Sequence, residues 1–260
     1  MCKFAGKNKI MDILPFLIVC PLVFLAGFID AIAGGGGLVS LPAYMLAGLP
    51  PHLAIGTNKL SSAIGTTVAT AQYISKGFMV WRLAIPAIVF SLLGANIGSN
   101  LTLLVPENIF LIIMLIALPM IAIYVFTHKS LSNTVEPEIT RRVWVVVLAS
   151  AFFIGMYDGF YGPGTGTFLM LLLTGAAHLT TRQSAGITKA INLSSNVMSL
   201  TVFLLNGTVL LPLGLTAAVF GMAGNYLGAR SFIKKGDAIA RPVIIIVISI
   251  FIIKVISEFV

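Results

Sequence analysis

Long apolar runs recur along the whole chain, at 13–33, 83–105, 109–126, 143–157, 197–205, 209–223 and 243–253. A run of about 20 apolar residues crosses a hydrocarbon core of about 30 Å as an α-helix. Only 9% of the 260 residues are charged, against about 25% in an ordinary soluble domain. The chain therefore lacks the polar surface to face water, and the runs predict an all-α polytopic membrane protein whose main partner is the lipid bilayer. A formal charge of +8 then reads as lysine and arginine gathered in cytoplasmic loops. No dense basic block or nucleic-acid motif accompanies it, so no nucleic-acid partner is expected. Cys2 and Cys20 stand apart from any Cys/His cluster and read as free thiols. The first apolar run follows basic residues but lacks a clear small-residue cleavage site, which predicts a retained first span.

The chain repeats itself. "GFIDAIAGGGG" from Gly27 aligns with "GMYDGFYGPGT" from Gly155, placing Gly27, Asp30, Gly34 and Gly36 on Gly155, Asp158, Gly162 and Gly164 at an offset of 128. "GTNK" ending at Lys59 aligns with "GITK" ending at Lys189 at an offset of 130. That second offset also pairs Gly77 with Gly207, Gly94 with Gly224 and Gly98 with Gly228. Residues 1–127 and 142–260 thus read as two transmembrane repeats joined by a cytoplasmic linker, 128–141. Each repeat is expected to hold a helix (13–33; 142–160), a short apolar piece (37–49; 165–177) and three further helices. Those are 54–76, 82–105 and 108–127 in the first half, and 184–206, 210–231 and 239–258 in the second. The total is eight long and two short membrane segments.

Loop charge bears on whether the short pieces cross. If they do not, eight loop lysines and arginines lie inside and five outside; if they do, ten lie inside and three outside. The positive-inside rule prefers the second arrangement. Equivalent loops also differ in character: "SKGFMVWR" is basic where "LNGTVL" is uncharged, and "VPEN" is acidic where "ARSFIKKGDAIAR" is basic. Five crossings per half, an odd number, give repeats of inverted topology, the build that many secondary transporters use for alternating access.

Four ionisable residues fall at membrane depth: Asp30, Lys59, Asp158 and Lys189. Such residues are costly in lipid, face an interior or a water-filled path, and mark functional sites with named partners. They could instead be two buried Asp–Lys pairs that only hold the halves together. Their neighbours favour a polar path. Ser62, Thr66, Thr70 and Tyr73 share a helix face with Lys59, and Asn192, Asn196 and Ser199 share one with Lys189. Without the lysines, such stripes would read as helix–helix hydrogen bonding. "AGGGGLVS" and "YGPGTGTF" each end one helix and begin another within the membrane, where unwound backbone must line protein or water. The helix after each break aims free N–H groups and its positive end at the break, which suits an anion. The Gly94/Gly98 and Gly224/Gly228 pairs read as close packing.

Other chemistries lack support. "GGGG" has no following Gly-Lys-Ser/Thr, and "GPGTGT" precedes no βαβ unit. His52, His128 and His178 are scattered, and no metal, cofactor or catalytic constellation is expected, nor an enzyme.

"GFIDAIAGGGGLVSLPA", "AIGTNKL", "GMYDGFYGPGTG", "ITKAINLSSN" and "GNYLGAR" resemble the signature segments of the TauE/SafE family across residues 15–258. The resemblance implies a multi-pass protein of the bacterial cytoplasmic membrane that exports or permeates sulfite or an organosulfonate. It does not fix one member's substrate. The second break carries Pro163 in "GPGTG", which stiffens it, and the two half-sites need not be equal.

The expected function is secondary transport, in the export direction, of a small sulfur-containing oxyanion at the repeat interface. Lys59 and Lys189 supply charge; backbone N–H groups near Gly35, Gly36 and Gly37 and near Gly164, Thr165 and Gly166 cradle the anion. Thr57, Asn58, Thr188 and Asn192 orient it, Ser62, Thr66, Asn196 and Ser199 line the path, and Asp30 and Asp158 balance charge or couple the cycle to protons. The rivals are a cation or metal transporter coordinating through the two aspartates, and a non-transporting membrane assembly subunit. Self-association is left open.

Overall fold

The computed structural model of the protein describes residues 13–106 and 138–236, together with Ala238, Ile239 and Pro242. These residues form eight α-helices and no strand. They are α1 (Ile13–Ala33), α2 (Gly37–Leu46), α3 (Pro51–Ser75), α4 (Trp81–Leu104), α5 (Arg141–Phe160), α6 (Thr165–Gly175), α7 (Thr181–Leu205) and α8 (Leu211–Lys235). The expected span 108–127 lies outside the described residues, as does 239–258 apart from Ile239 and Pro242. Where the expected helices are described, the structure places helices, with ends within four residues of those expected.

Three of these helices, α1, α4 and α5, are long and apolar enough to cross a membrane. Helices α3, α7 and α8 are equally long, 25 residues each. They are more polar, α3 and α7 through buried Lys, Asn, Ser and Thr side chains and α8 through the buried Asn225 and an exposed basic end. Lys59, Lys189, Asp158, Asn192 and Asn196 are buried, while Leu104, Leu205, Val145 and Val219 are exposed. A protein in water arranges these classes the other way round. Polar groups turned inside an apolar shell are what a hydrocarbon solvent selects.

Packing crosses between the halves. The fourth helix of each half lies on the first helix of the other, α4 on α5 and α8 on α1. The GxxxG glycines make both seams. A Cβ at Gly94 or Gly98 would collide with the carbonyl oxygen of Phe152 or Met156, and one at Gly224 or Gly228 with that of Phe24 or Phe28. Close backbone approach of this kind is how helices associate where lipid removes the hydrophobic drive. The same contacts advance together along both chains, so each of these pairs is parallel. Helices α3 and α7 meet in the middle, where Lys59 bonds Asn196 and Thr70 reaches the Lys189 carbonyl. Position rises along α3 as it falls along α7, so these two matching helices run antiparallel.

Candidate functional site

Helix α1 stops at Ala33 because Gly34 adopts φ 72°, a left-handed conformation that glycine takes without steric cost. Helix α2 restarts at Gly37 with no side-chain cap. The Leu38 and Val39 amides bond the Gly35 and Gly36 carbonyls at 3.1 and 3.0 Å, which leaves those of Gly36 and Gly37 without a backbone acceptor among the described residues. The second break is built alike, with Gly162 at φ 97° and Gly164 at φ 83° before α6. The two breaks touch. Gly166 donates its amide to the Gly34 carbonyl at 3.1 Å, and the Thr167 hydroxyl donates to the Ala33 carbonyl at 2.8 Å. A Cβ on Gly34 or on Gly166 would strike the other's backbone.

Two ion pairs flank this contact, and both are crossed. Lys59 of the first half holds Asp158 of the second, Nζ to Oδ1 at 3.0 Å. Lys189 of the second half holds Asp30 of the first, Nζ to Oδ2 at 2.6 Å. Lys59 also donates to Asn196 Oδ1 at 3.0 Å, and Lys189 to the Asp30 carbonyl at 2.6 Å. Asn196 in turn donates to Asn192 Oδ1 at 2.6 Å. The four charges cancel. Positive potential toward a ligand therefore rests on the third N–H of Lys59 and the first turn of α2.

A polar cavity opens on the Lys59 side. Of the residues expected at the site, Asp30, Gly36, Gly37, Asn58, Lys59, Ser62, Thr66, Asp158, Asn192 and Asn196 line it. Others are placed elsewhere. Thr57 donates to the Leu53 carbonyl at 2.6 Å and accepts the Leu210 amide at 3.0 Å, tying α3 to the α7–α8 turn. Thr188 and Lys189 border a smaller void with Asp30 and Tyr73. The Ser199 hydroxyl is buried without a partner and lines neither space. Gly35, Gly164, Thr165 and Gly166 lie outside the cavity wall. Two amides of the second break have internal acceptors, Thr165 on the Gly162 carbonyl and Gly166 on Gly34. The Thr165 hydroxyl bonds Asp158 Oδ1 at 2.8 Å.

Sequence reasoning did not single out Ser40, Ser61 or Asn225, which also line the cavity. Ser61 accepts the Tyr44 hydroxyl at 2.8 Å and donates to the Asn58 carbonyl. Asn225 sits against Gly27 and Gly65, where a Cβ on either would come within 2.8 Å of its Nδ2. The available signal was a lone asparagine beside Gly224, inside an apolar span. Among the described residues no group of three or more His, Cys, Asp or Glu could hold a metal ion.

An apolar shell around crossed lysine–aspartate pairs and two broken helices defines a helical membrane transporter. The comparisons with known proteins agree. The family model described as "Sulfite exporter TauE/SafE" matches residues 19–255, and the chain belongs to the TauE/SafE family of membrane transporters. It is 36% identical to a probable membrane transporter protein, ORF9, of a Sinorhizobium species, over 93% of this chain and 91% of that one. Identity to a probable membrane transporter protein of Haemophilus influenzae is 32%, over 86% and 87%. Identity to the probable membrane transporter protein YfcA of Escherichia coli K12 is 30%, over 96% and 94%. No solved structure matches the chain. These relatives are transporters and not enzymes.

Proposed function

We propose that the protein is a secondary transporter of a small sulfur-containing oxyanion, sulfite or a short organosulfonate, across the bacterial cytoplasmic membrane. The observation that carries this reading is the polar cavity at the first break, which Lys59 and the uncapped start of α2 both line. Lys59 offers its third N–H and the Gly36–Gly37 backbone its amides, while Asn58, Ser62, Thr66 and Asn192 orient the oxyanion. Charge-assisted bonds of this kind are short and about twice as strong as neutral ones. Amides around Gly164–Gly166 join the cradle when the two breaks part. Lys189 joins when it leaves Asp30.

The repeats, 1–127 and 142–260 with a cytoplasmic linker at 128–141, have opposite orientations in this reading. Antiparallel α3 and α7 support it, and the parallel pairs α1–α8 and α4–α5 are compatible with it. Parallel α4 and α5 also need one crossing between them, which the apolar run at 109–126 would supply. Inverted repeats let a fixed central site face each side in turn. Export of an anion follows a membrane potential negative inside, worth about 2.3 kcal/mol per charge per 100 mV.

Flux in proteoliposomes tests the proposal, with radiolabelled sulfite and a short sulfonate on wild type, Lys59→Ala and Lys189→Ala. Both variants are expected to lose transport. Unchanged flux in both would overturn the anion site.

A further inference from the structure

Asp30 matches Asp158 in the repeat, yet the two carboxylates are held differently. Asp158 takes Lys59 and the Thr165 hydroxyl on Oδ1, at 3.0 and 2.8 Å, and the Ser195 hydroxyl on Oδ2. Its side chain is 3% exposed. Among the described residues, Lys189 alone donates to the Asp30 carboxylate, on Oδ2, and that side chain is 15% exposed on the cavity wall. The sequence explains the difference. Where the second half has Thr165 and Ser195, the first half has Gly37 and Gly65, so both hydroxyls are missing.

The room left at Gly65 is filled by Asn225, which stands where the matching helix has Ala95. Asn225 Nδ2 donates to the Gly221 carbonyl at 3.0 Å, and its Oδ1 is buried with no partner. Asn58 Oδ1 is in the same state on the same cavity. Two buried acceptors thus line the cavity that the Asp30 carboxylate also lines, and the wall can accept a hydrogen bond from what enters it. Such groups are costly until something supplies the hydrogen bond.

We infer that Asp30, and not Asp158, is the proton-binding carboxylate of this transporter. A proton taken from the aqueous phase forms an O–H bond on Asp30, in a cavity whose wall also carries the unpartnered amide oxygens of Asn225 and Asn58. The charged and titratable groups around Asp30 are Lys189 from α7, Lys59 and the Tyr73 phenol from α3, and Asp158 from α5. Helices α2, α6 and α8 place no titratable group in the cavity or in the void beside it. Tyr73 donates to the Ala31 carbonyl. Protonated Asp30 no longer balances Lys189, and the ammonium needs another anion. Proton and oxyanion therefore bind together and cross together, and the membrane potential drives export only of the charge that remains once the proton is counted. Asp158, locked by two hydroxyls and Lys59, stays ionised.

This role rests on the transport reading, but the proton site is tested without cargo. Infrared difference spectra between high and low pH, on lipid-reconstituted protein, read the C=O band of each carboxyl that becomes protonated. Asp30→Asn is expected to remove one such band from the wild-type difference, and Asp158→Asn to remove none. Because Asp158→Asn could fail to fold, a second variant rebuilds the second half's arrangement in the first: Gly65→Ser with Asn225→Ala. There the Asp30 band is expected to weaken in the same difference spectrum. An unchanged spectrum in Asp30→Asn, or a band lost with Asp158→Asn, would overturn the assignment. With a sulfonate, which stays ionised, a pH gradient is expected to accelerate wild-type flux and not that of Asp30→Asn. Absence of any anion flux would instead count against the cargo reading, with the infrared bands unaffected.

Discussion

Gly34 and Gly166 meet backbone to backbone at the centre of the bundle, the amide of one bonded to the carbonyl of the other at 3.1 Å. Each helix break thus forms the wall of the other. No methyl group fits on either residue, and Gly34 also needs its left-handed φ of 72°. Gly34→Ala is expected to lower stability by about 3 kcal/mol or more, adding overpacking to backbone strain. Gly48→Ala isolates the strain, because Gly48 has φ 86° but open space around it, and should cost about 1–2 kcal/mol. Gly175 ends α6 with neither constraint, so its alanine variant should be neutral or slightly stabilising. Unfolding midpoints in detergent give the order.

The crossed pair of Lys59 and Asp158 separates stability from function. Lys59→Ala leaves a buried carboxylate without its counter-ion, a loss of about 3–5 kcal/mol. Removing both partners, in Lys59→Ala with Asp158→Ala, leaves no orphaned charge, so the double variant is expected to be more stable than the single. Its transport should still be absent, because the N–H offered to the anion is gone. Thermal unfolding and proteoliposome flux, measured on the same preparations, check both halves of this expectation. Recovery of flux with recovery of stability would make Lys59 a purely structural residue.

The two GxxxG seams join the halves where α4 lies on α5 and α8 on α1. Gly98→Ala and Gly228→Ala each drive a methyl into a carbonyl of the facing helix and are expected to cost about 1–3 kcal/mol. Leu93→Val, on the exposed face of α4, should cost less than about 0.5 kcal/mol. Comparable losses at all three positions would deny the seams their role. Chemical or thermal unfolding of purified variants reads this directly.

The eight described helices were legible because lipid makes the apolar runs long and the glycine breaks conspicuous. The lysines, aspartates and asparagines stood out because nothing polar is cheap at that depth. Partner choice was not legible. Spacing along α3 places Lys59 on a face, but which aspartate it meets depends on the crossing of the halves, and it is Asp158. Thr57 is two residues from Lys59, yet its hydroxyl faces the Leu210 amide. Periodicity gives a helix face, not the neighbour on that face. Asn225 was missed for the opposite reason, being single and set among glycines that read as packing. Its side chain enters the cavity only because Gly27 and Gly65 leave the space.

Orientation of the halves can be read from two matching turns. Lys76 and Asn206 follow α3 and α7 at equivalent positions, and both are exposed. Each helix has 25 residues, about 37 Å at 1.5 Å per residue, enough to bring its end to a membrane surface. Since α3 and α7 run antiparallel, the two turns should face opposite sides. Lys76 and Arg82 mark the first turn as cytoplasmic by the positive-inside rule, which leaves Asn206 outside. Single cysteines, Lys76→Cys or Asn206→Cys, are placed in a chain whose Cys2 and Cys20 are replaced by serine and alanine. An impermeant maleimide added to intact cells is then expected to label position 206 at once and position 76 only after permeabilisation. Labelling of both from one side would rule out inverted repeats, and with them alternating access by exchange of the two halves.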